Sequence, residues 1–242
     1  MQSKRTCILA IVVAALAISA LTVPISAQAK PPGPGGGGNE GPVYCTLPES
    51  NAEGLEILSY YYPSYWWDHT DLTIAVQSSP NVDEKFLKAI HEAIAIWTDV
   101  LEDCFNGAIT LTDVTDTHAS EQKADIVLHY VPTMGGYSFD GYAVCGDHGC
   151  PNVLVKSDLP HEQYTTEYVA WVTLHEIGHA LGLGHATNLL ESTDLMGYGW
   201  PDLGDPVLSD CDIDALVFVF AWVFKGSEPH PPTEGTYDCS LD

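Results

Sequence analysis

The sequence predicts an α+β domain with an α/β-like layout, a twisted sheet covered by long helices. Three observations carry this. Asp83–Cys104, "DEKFLKAIHEAIAIWTDVLEDC", places apolar residues at Phe86, Leu87, Ile90, Ala93, Ile94, Trp97 and Leu101, a helical spacing with one buried face. Short β-branched stretches bounded by turn residues precede and follow it. A second helical run, Thr165–Leu183, leads through irregular sequence to a final apolar segment. The order is strand, helix, three strands, helix, irregular stretch, helix, which suits one layered domain.

The first 29 of the 242 residues stand apart. Lys4 and Arg5 precede an apolar run from Cys7 to Val23, then Ser26-Ala27-Gln28-Ala29, a small-residue cleavage pattern. Residues 1–29 therefore read as a secretory signal peptide. An uncleaved anchor stays open as the alternative, although the run is marginally short for a span. Residues 30–54 form a linker, because "KPPGPGGGGNEGP" cannot build a core.

Residues 55–226 are the folded block, long enough to bury a substantial core. "DLTIAV" (Asp71–Val76) is strand-like. Asp83 and Glu84 then open the long helix, where they suit its dipole. "AITLTDV" and "ADIVLHYV" are two further strands, and "NVLVKSDL" is a fourth. In "LSDCDIDALVFVFAW", Ser209 with Asp212 resembles a capping box before a buried helix, although the β-branched and aromatic content of the run leaves a strand as the other reading. That apolar run is too short to span a membrane. Residues 227–242 read as a loop-like tail pinned by Cys239. The aromatic stretch "YYYPSYWWDH" (Tyr60–His69) is expected to be mostly packing.

Composition excludes some partners. The formal charge is −25, and removal of Lys4 and Arg5 with the leader takes it to −27. Nucleic acid and anionic membranes should be repelled. No stable membrane insertion is expected once the leader is gone. Of seven cysteines, Cys7 lies in the leader. The even set Cys45, Cys104, Cys145, Cys150, Cys211 and Cys239 fits up to three disulfides in an exported chain. Spacing does not choose the pairing. Cys145–Cys150 as a local clip, with Cys45 or Cys104 tied to the C-terminal pair, is the expected arrangement.

The chemistry concentrates in "HEIGHALGLGH". His175 and His179, four apart on a helix, present both imidazoles to one ion. Glu176 stands beside the first histidine, placed to polarise a water. Gly182 allows a sharp turn after the helix, which can return His185 to the same point. Three imidazoles leave one open position, the pattern of a catalytic rather than a structural zinc site.

This motif resembles H-E-x-x-H-x-x-G-x-x-H of the metzincin metalloproteases, and "HALGLGH" is most similar to the matrixin branch. The resemblance spans roughly Leu55 to Lys225, and its specific part runs from His175 to Tyr198. It implies a mixed sheet with two helices above a cleft, and below it a small subdomain with a methionine turn and the last helix. Met196 fits that turn. Tyr198, two residues on, resembles the tyrosine of astacins and serralysins that ligates zinc or stabilises the oxyanion; a pocket wall is the other reading. An extended substrate would pair with the edge strand, expected around Gly141–Val144.

There are departures too. Ala186 stands where matrixins often carry serine. A cysteine-switch pattern is absent, so Cys45 as an inhibitory thiolate is weighed against its place in a disulfide. Asp147 and His148 in "CGDHGC", with Asp140 and Asp158, resemble the loop where matrixins hold structural zinc and calcium, so Ca2+ or a second zinc is a further expectation. The pocket wall is expected to include Trp200 and Pro201.

The expected function is a secreted or extracellular zinc-dependent endopeptidase acting on protein or peptide substrates. Zn2+ would be held by His175, His179 and His185, with Glu176 as general base and Tyr198 assisting. The alternative is a catalytically silent zinc-containing binding protein of the same fold.

Overall fold

The computed structural model describes residues 43–62, 65–79, 82–116, 124–132, 140–146, 149–156, 165–198 and 208–239. The expected signal peptide and the Pro/Gly run to residue 42 lie outside the described residues, as do Asp147, His148, Asp158, Trp200 and Pro201.

The chain opens with β1 (Gly54–Ile57) and the short α1 (Leu58–Tyr61), then β2 (Asp71–Ser78) and α2 (Glu84–Phe105). Strands β3 (Thr110–Asp113), β4 (Ile126–Val131), β5 (Gly141–Val144) and β6 (Asn152–Lys156) follow, then α3 (Thr166–Leu181) and β7 (Leu183–Ala186). The chain closes with α4 (Asp210–Val219), α5 (Ala221–Phe224) and β8 (Thr236–Asp238).

The main sheet has the order β3-β2-β4-β6-β5. Its first three pairings are parallel, and β5 joins β6 antiparallel as an edge. The α+β, α/β-like class is therefore observed, and so is the edge strand at Gly141–Val144. Strands β4 and β6 alternate buried and half-buried residues, as a sheet with one fully covered face requires. Helices α2 and α3 pack on each other, α2 also on β3 and α3 on β5 and β6.

Local chemistry sets the helix ends. The Asp83 carboxylate accepts the Lys85 N–H at the start of α2. At its end Asn106 takes a left-handed conformation with φ 51°. Ser209 and Asp212 form the expected reciprocal capping box on α4. The final helix is not continuous: it breaks at Phe220 into α4 and α5.

A second, three-stranded antiparallel sheet of order β7-β1-β8 was not expected. It takes β8 from the segment read as a loop-like tail. The linker segment also divides, since residues 43–54 lie on the domain: Tyr44 N–H donates to Cys104 O at 2.9 Å, and Asp210 N–H to Pro48 O at 3.1 Å.

That path corrects the disulfide expectation. Cys45 bonds Cys104 and Cys211 bonds Cys239, so neither Cys45 nor Cys104 reaches the C-terminal pair; Cys145–Cys150 is the local clip expected. The N-terminal arm passes the end of α2, which brings Cys45 to Cys104. β8 lies beside β1, which packs on α4, and this brings Cys239 to Cys211. With its sulfur bonded, Cys45 offers no thiolate to the histidines. The aromatic stretch also differs from expectation. Trp67 is buried and donates its indole N–H to Ala180 O at 2.8 Å, whereas Tyr60, Tyr61 and Tyr62 are exposed.

Candidate active site

Helix α3 carries three of the predicted residues. Thr165 caps its N-terminus by accepting the Tyr168 N–H. The four-residue spacing sets His175 and His179 on one face, with ring centroids 4.6 Å apart. The helix ends at Gly182, whose φ of 114° is a left-handed conformation that side chains resist. The chain turns there into β7, which pairs with β1 through Leu55 and Ala186. The third histidine thereby returns: the His185 ring lies 4.7 Å from His179 and 5.4 Å from His175.

One nitrogen from each of the three histidines lies within 4.8 Å of the others. The Nδ1–H of His175 donates to Leu195 O and that of His179 to Leu183 O, both at 2.7 Å. These carbonyls fix the tautomer and leave each Nε2 free as a donor of electrons to a cation. His179 Nε2 is 3.2 Å from His185 Nε2. Burial depresses all three imidazoles, His175 to about 4 and His179 well below the ordinary value, with the neighbouring rings adding to the effect at both. Neutral, convergent and oriented imidazoles fit a divalent cation such as zinc.

Glu176 is buried beside them. Burial pushes its carboxyl up to about 8, against the lowering effect of the Ala143 N–H that it accepts. Its Oε2 has no hydrogen-bond partner among the described residues. The carboxyl group thus lies against β5, the edge strand of the main sheet among the described residues. Gly141 makes room for it: an added Cβ would stand 2.5 Å from Glu176 Cγ and 2.7 Å from its carboxyl carbon. A methyl group at Gly141 would therefore have to displace the Glu176 side chain.

Met196 is fully buried under α3. A Cβ on Gly178 would meet its sulfur at 2.6 Å, so only glycine at that position lets the thioether lie beneath the helix. Met196 O accepts the Ala186 N–H at 3.0 Å, which joins this turn to β7. The Tyr198 hydroxyl lies 2.8 Å from His185 Nε2, and its ring is exposed on one side. All five predicted site residues are thus brought together, between β5 and the 196–198 turn.

Two further polar side chains serve the fold. Asp140 accepts the Tyr168 hydroxyl at 2.6 Å, tying the start of β5 to α3. His91 pairs with Asp113 at 2.6 Å, away from the site.

Sequence reading missed a buried polar cluster behind the methionine turn, composed of Asp194, Ser209 and Asp212 with Ser50 from the arm. The Asx pattern in "TDLM" was the available signal: Asp194 accepts the Met196 N–H two residues on. Burial, then the adjacent Asp194, raises Asp212 well above its ordinary 3.8. The folded state therefore keeps a proton that the unfolded chain releases from about pH 4 upward, and stability falls as pH rises towards the folded value. Asp212→Asn cannot titrate. Its melting temperature should gain on the parent by a few degrees between pH 4 and pH 8, which thermal melts at both pH values check.

Comparison with known proteins adds the following. The sequence model of the family described as Matrixin matches residues 65–212. Interstitial collagenase of Bos taurus is 27% identical over 178 residues, 69% of this chain and 35% of the bovine one. Metalloendoproteinase 1 of Glycine max is 30% identical over 135 residues, 50% of this chain and 41% of that one. The chain thus matches well under half the length of these relatives. Among solved structures, archaemetzincin from Methanopyrus kandleri aligns with a TM-score of 0.39 at 15% identity, over 62% of this chain and 94% of that one.

Proposed function

Because the chain belongs to the matrixin family of peptidases, we propose that it is a secreted zinc-dependent endopeptidase. The observation that carries the reading is the convergence of three neutral imidazoles beside a buried glutamate that lies against an edge strand. His175, His179 and His185 would hold the ion, the first two through the Nε2 that their carbonyl partners leave open. Zinc bound there would supply Lewis acidity toward water and the scissile carbonyl.

The chain's own residues do the rest. An extended peptide lies along β5, the edge strand of the sheet among the described residues, and pairs with main-chain groups there other than the Ala143 N–H that Glu176 holds. Glu176 takes a proton from the attacking water and later passes it to the leaving amine nitrogen. Tyr198, with its hydroxyl next to His185 Nε2, donates a hydrogen bond to the carbonyl oxygen as negative charge develops on it. Three disulfides among the described residues support an oxidising destination. No helix among the described residues is long and apolar enough to cross a membrane.

The test is a peptide-library digest of purified protein, paired with metal analysis by mass spectrometry. Close to one zinc per chain is expected, together with cleavage that a chelator abolishes and added zinc restores. A zinc-loaded protein that cleaves nothing would support the silent binding protein instead.

A further inference from the structure

We propose that Asp194 is a positioning residue of the three-histidine site, clamped in place by the N-terminal arm and the start of α4. The inference rests on reading that site as a metal centre. Its core is a single peptide group, the one joining Leu195 to Met196. The C=O of this group accepts the His175 Nδ1–H at 2.7 Å. The N–H of the same group donates to Asp194 Oδ1 at 2.9 Å. Turning the peptide plane breaks both bonds together, so the carboxyl group that holds the N–H also holds the carbonyl that aims the imidazole.

Asp194 is itself fixed from two sides. Ser209 Oγ, at the start of α4, donates to its Oδ2 at 2.6 Å, and Ser50 Oγ, on the arm, donates to the same oxygen at 2.7 Å. The side chain is 1% exposed, so these bonds form away from bulk water. Its backbone closes the turn as well, because Gly197 N–H donates to Asp194 O at 2.9 Å.

The arm brings Ser50 in with further bonds. Asn51 Oδ1 accepts Thr193 N–H at 2.7 Å, and Asn51 Nδ2 donates to Glu191 O at 3.2 Å. Glu53 N–H donates to Asn188 Oδ1 at 3.1 Å. Residues that sequence reading assigned to a linker thus fasten the loop leading into Met196 and Tyr198. The connection runs from Ser50 through Asp194 and the Leu195–Met196 peptide to His175.

The test uses the full folded chain, with zinc alone as the probe. Asp194→Asn keeps the shape, yet replaces an acceptor of two hydroxyl donors by an amide that satisfies them poorly. Its zinc affinity, measured by competition with a chromophoric chelator, should fall on the order of tenfold to a hundredfold. In the metal-free protein, the downfield Nδ1–H proton resonance of His175 should broaden or vanish, while that of His179, bonded to Leu183 O, persists. Ser50→Ala, which removes one donor from outside the turn, should lower zinc affinity by about threefold or more. A folded Asp194→Asn protein with parental zinc affinity and an unchanged His175 signal overturns the proposal. If that variant does not fold, Ser50→Ala decides by the same two measurements, and parental values overturn it. A parent chain that takes up no zinc sinks the metal-centre reading, and the His175 resonance then decides the positioning role by itself.

Discussion

Glu176→Gln is expected to lower peptide cleavage by about 10²–10⁴-fold while zinc uptake stays parental. The amide is isosteric with the carboxyl group, and its oxygen can still accept the Ala143 N–H. What it loses is the capacity to take a proton from water and return it to the amine. The three imidazoles are held by Leu195 O, Leu183 O and the β7 strand, none of which involves Glu176. The substitution also has a stability signature. Burial raises Glu176 from its ordinary 4.5 to about 8 in the metal-free chain, so folding binds a proton throughout that window and stability declines as pH rises across it. The glutamine protein should therefore melt higher than the parent near pH 8 when both are metal-free, and the difference should shrink towards pH 4. A zinc-loaded Glu176→Gln protein that cleaves at the parental rate would remove the general base from the mechanism.

Trp97→Ala should destabilise the fold by about 3–5 kcal/mol, the largest single loss among the core positions. Trp97 is fully buried where α2 crosses α3. Its indole N–H donates to Leu174 O at 2.9 Å, one residue before the first histidine. Its ring edge lies 3.6 Å from the Cβ position of Gly178, over which the Met196 sulfur also sits. Truncation leaves a cavity directly behind the histidine-bearing face of α3. Trp97→Phe keeps most of the apolar area and loses the hydrogen bond, so about 1–2 kcal/mol is expected. Urea unfolding with the disulfides intact separates the two. Loss confined to the alanine variant would assign the effect to packing, and equal losses would assign it to the indole N–H.

What could be read from sequence follows the range of the interactions involved. The long helix was legible because its apolar face repeats every turn for 22 residues. The clustering of the five candidate residues was legible because four of them sit on or just beyond one helix at the offsets of the motif, and Tyr198 follows the methionine closely. The edge strand at Gly141–Val144 was legible through resemblance. The sheet of β7, β1 and β8 was not. Its strands are three or four residues long, and Gly54 pairs with Asp238 and Leu55 with Ala186, partners that no local period announces. The same distance hid the Cys45–Cys104 and Cys211–Cys239 pairings and the contact of Ser50 with Asp194. Tyr60, Tyr61 and Tyr62 were misjudged because aromatic content alone does not say which side of a turn faces water.

The pairing of β8 with β1, and of β1 with β7, sets a constraint on timing. His185 sits on a strand whose neighbour comes from the front of the domain and is itself backed by a strand near residue 238. Closing loops of that length is slow compared with forming α2 or α3. The two helical histidines can therefore be in place while the third still lacks its support, and the three-imidazole cluster is complete only once β8 has crossed to β1 and β1 to β7.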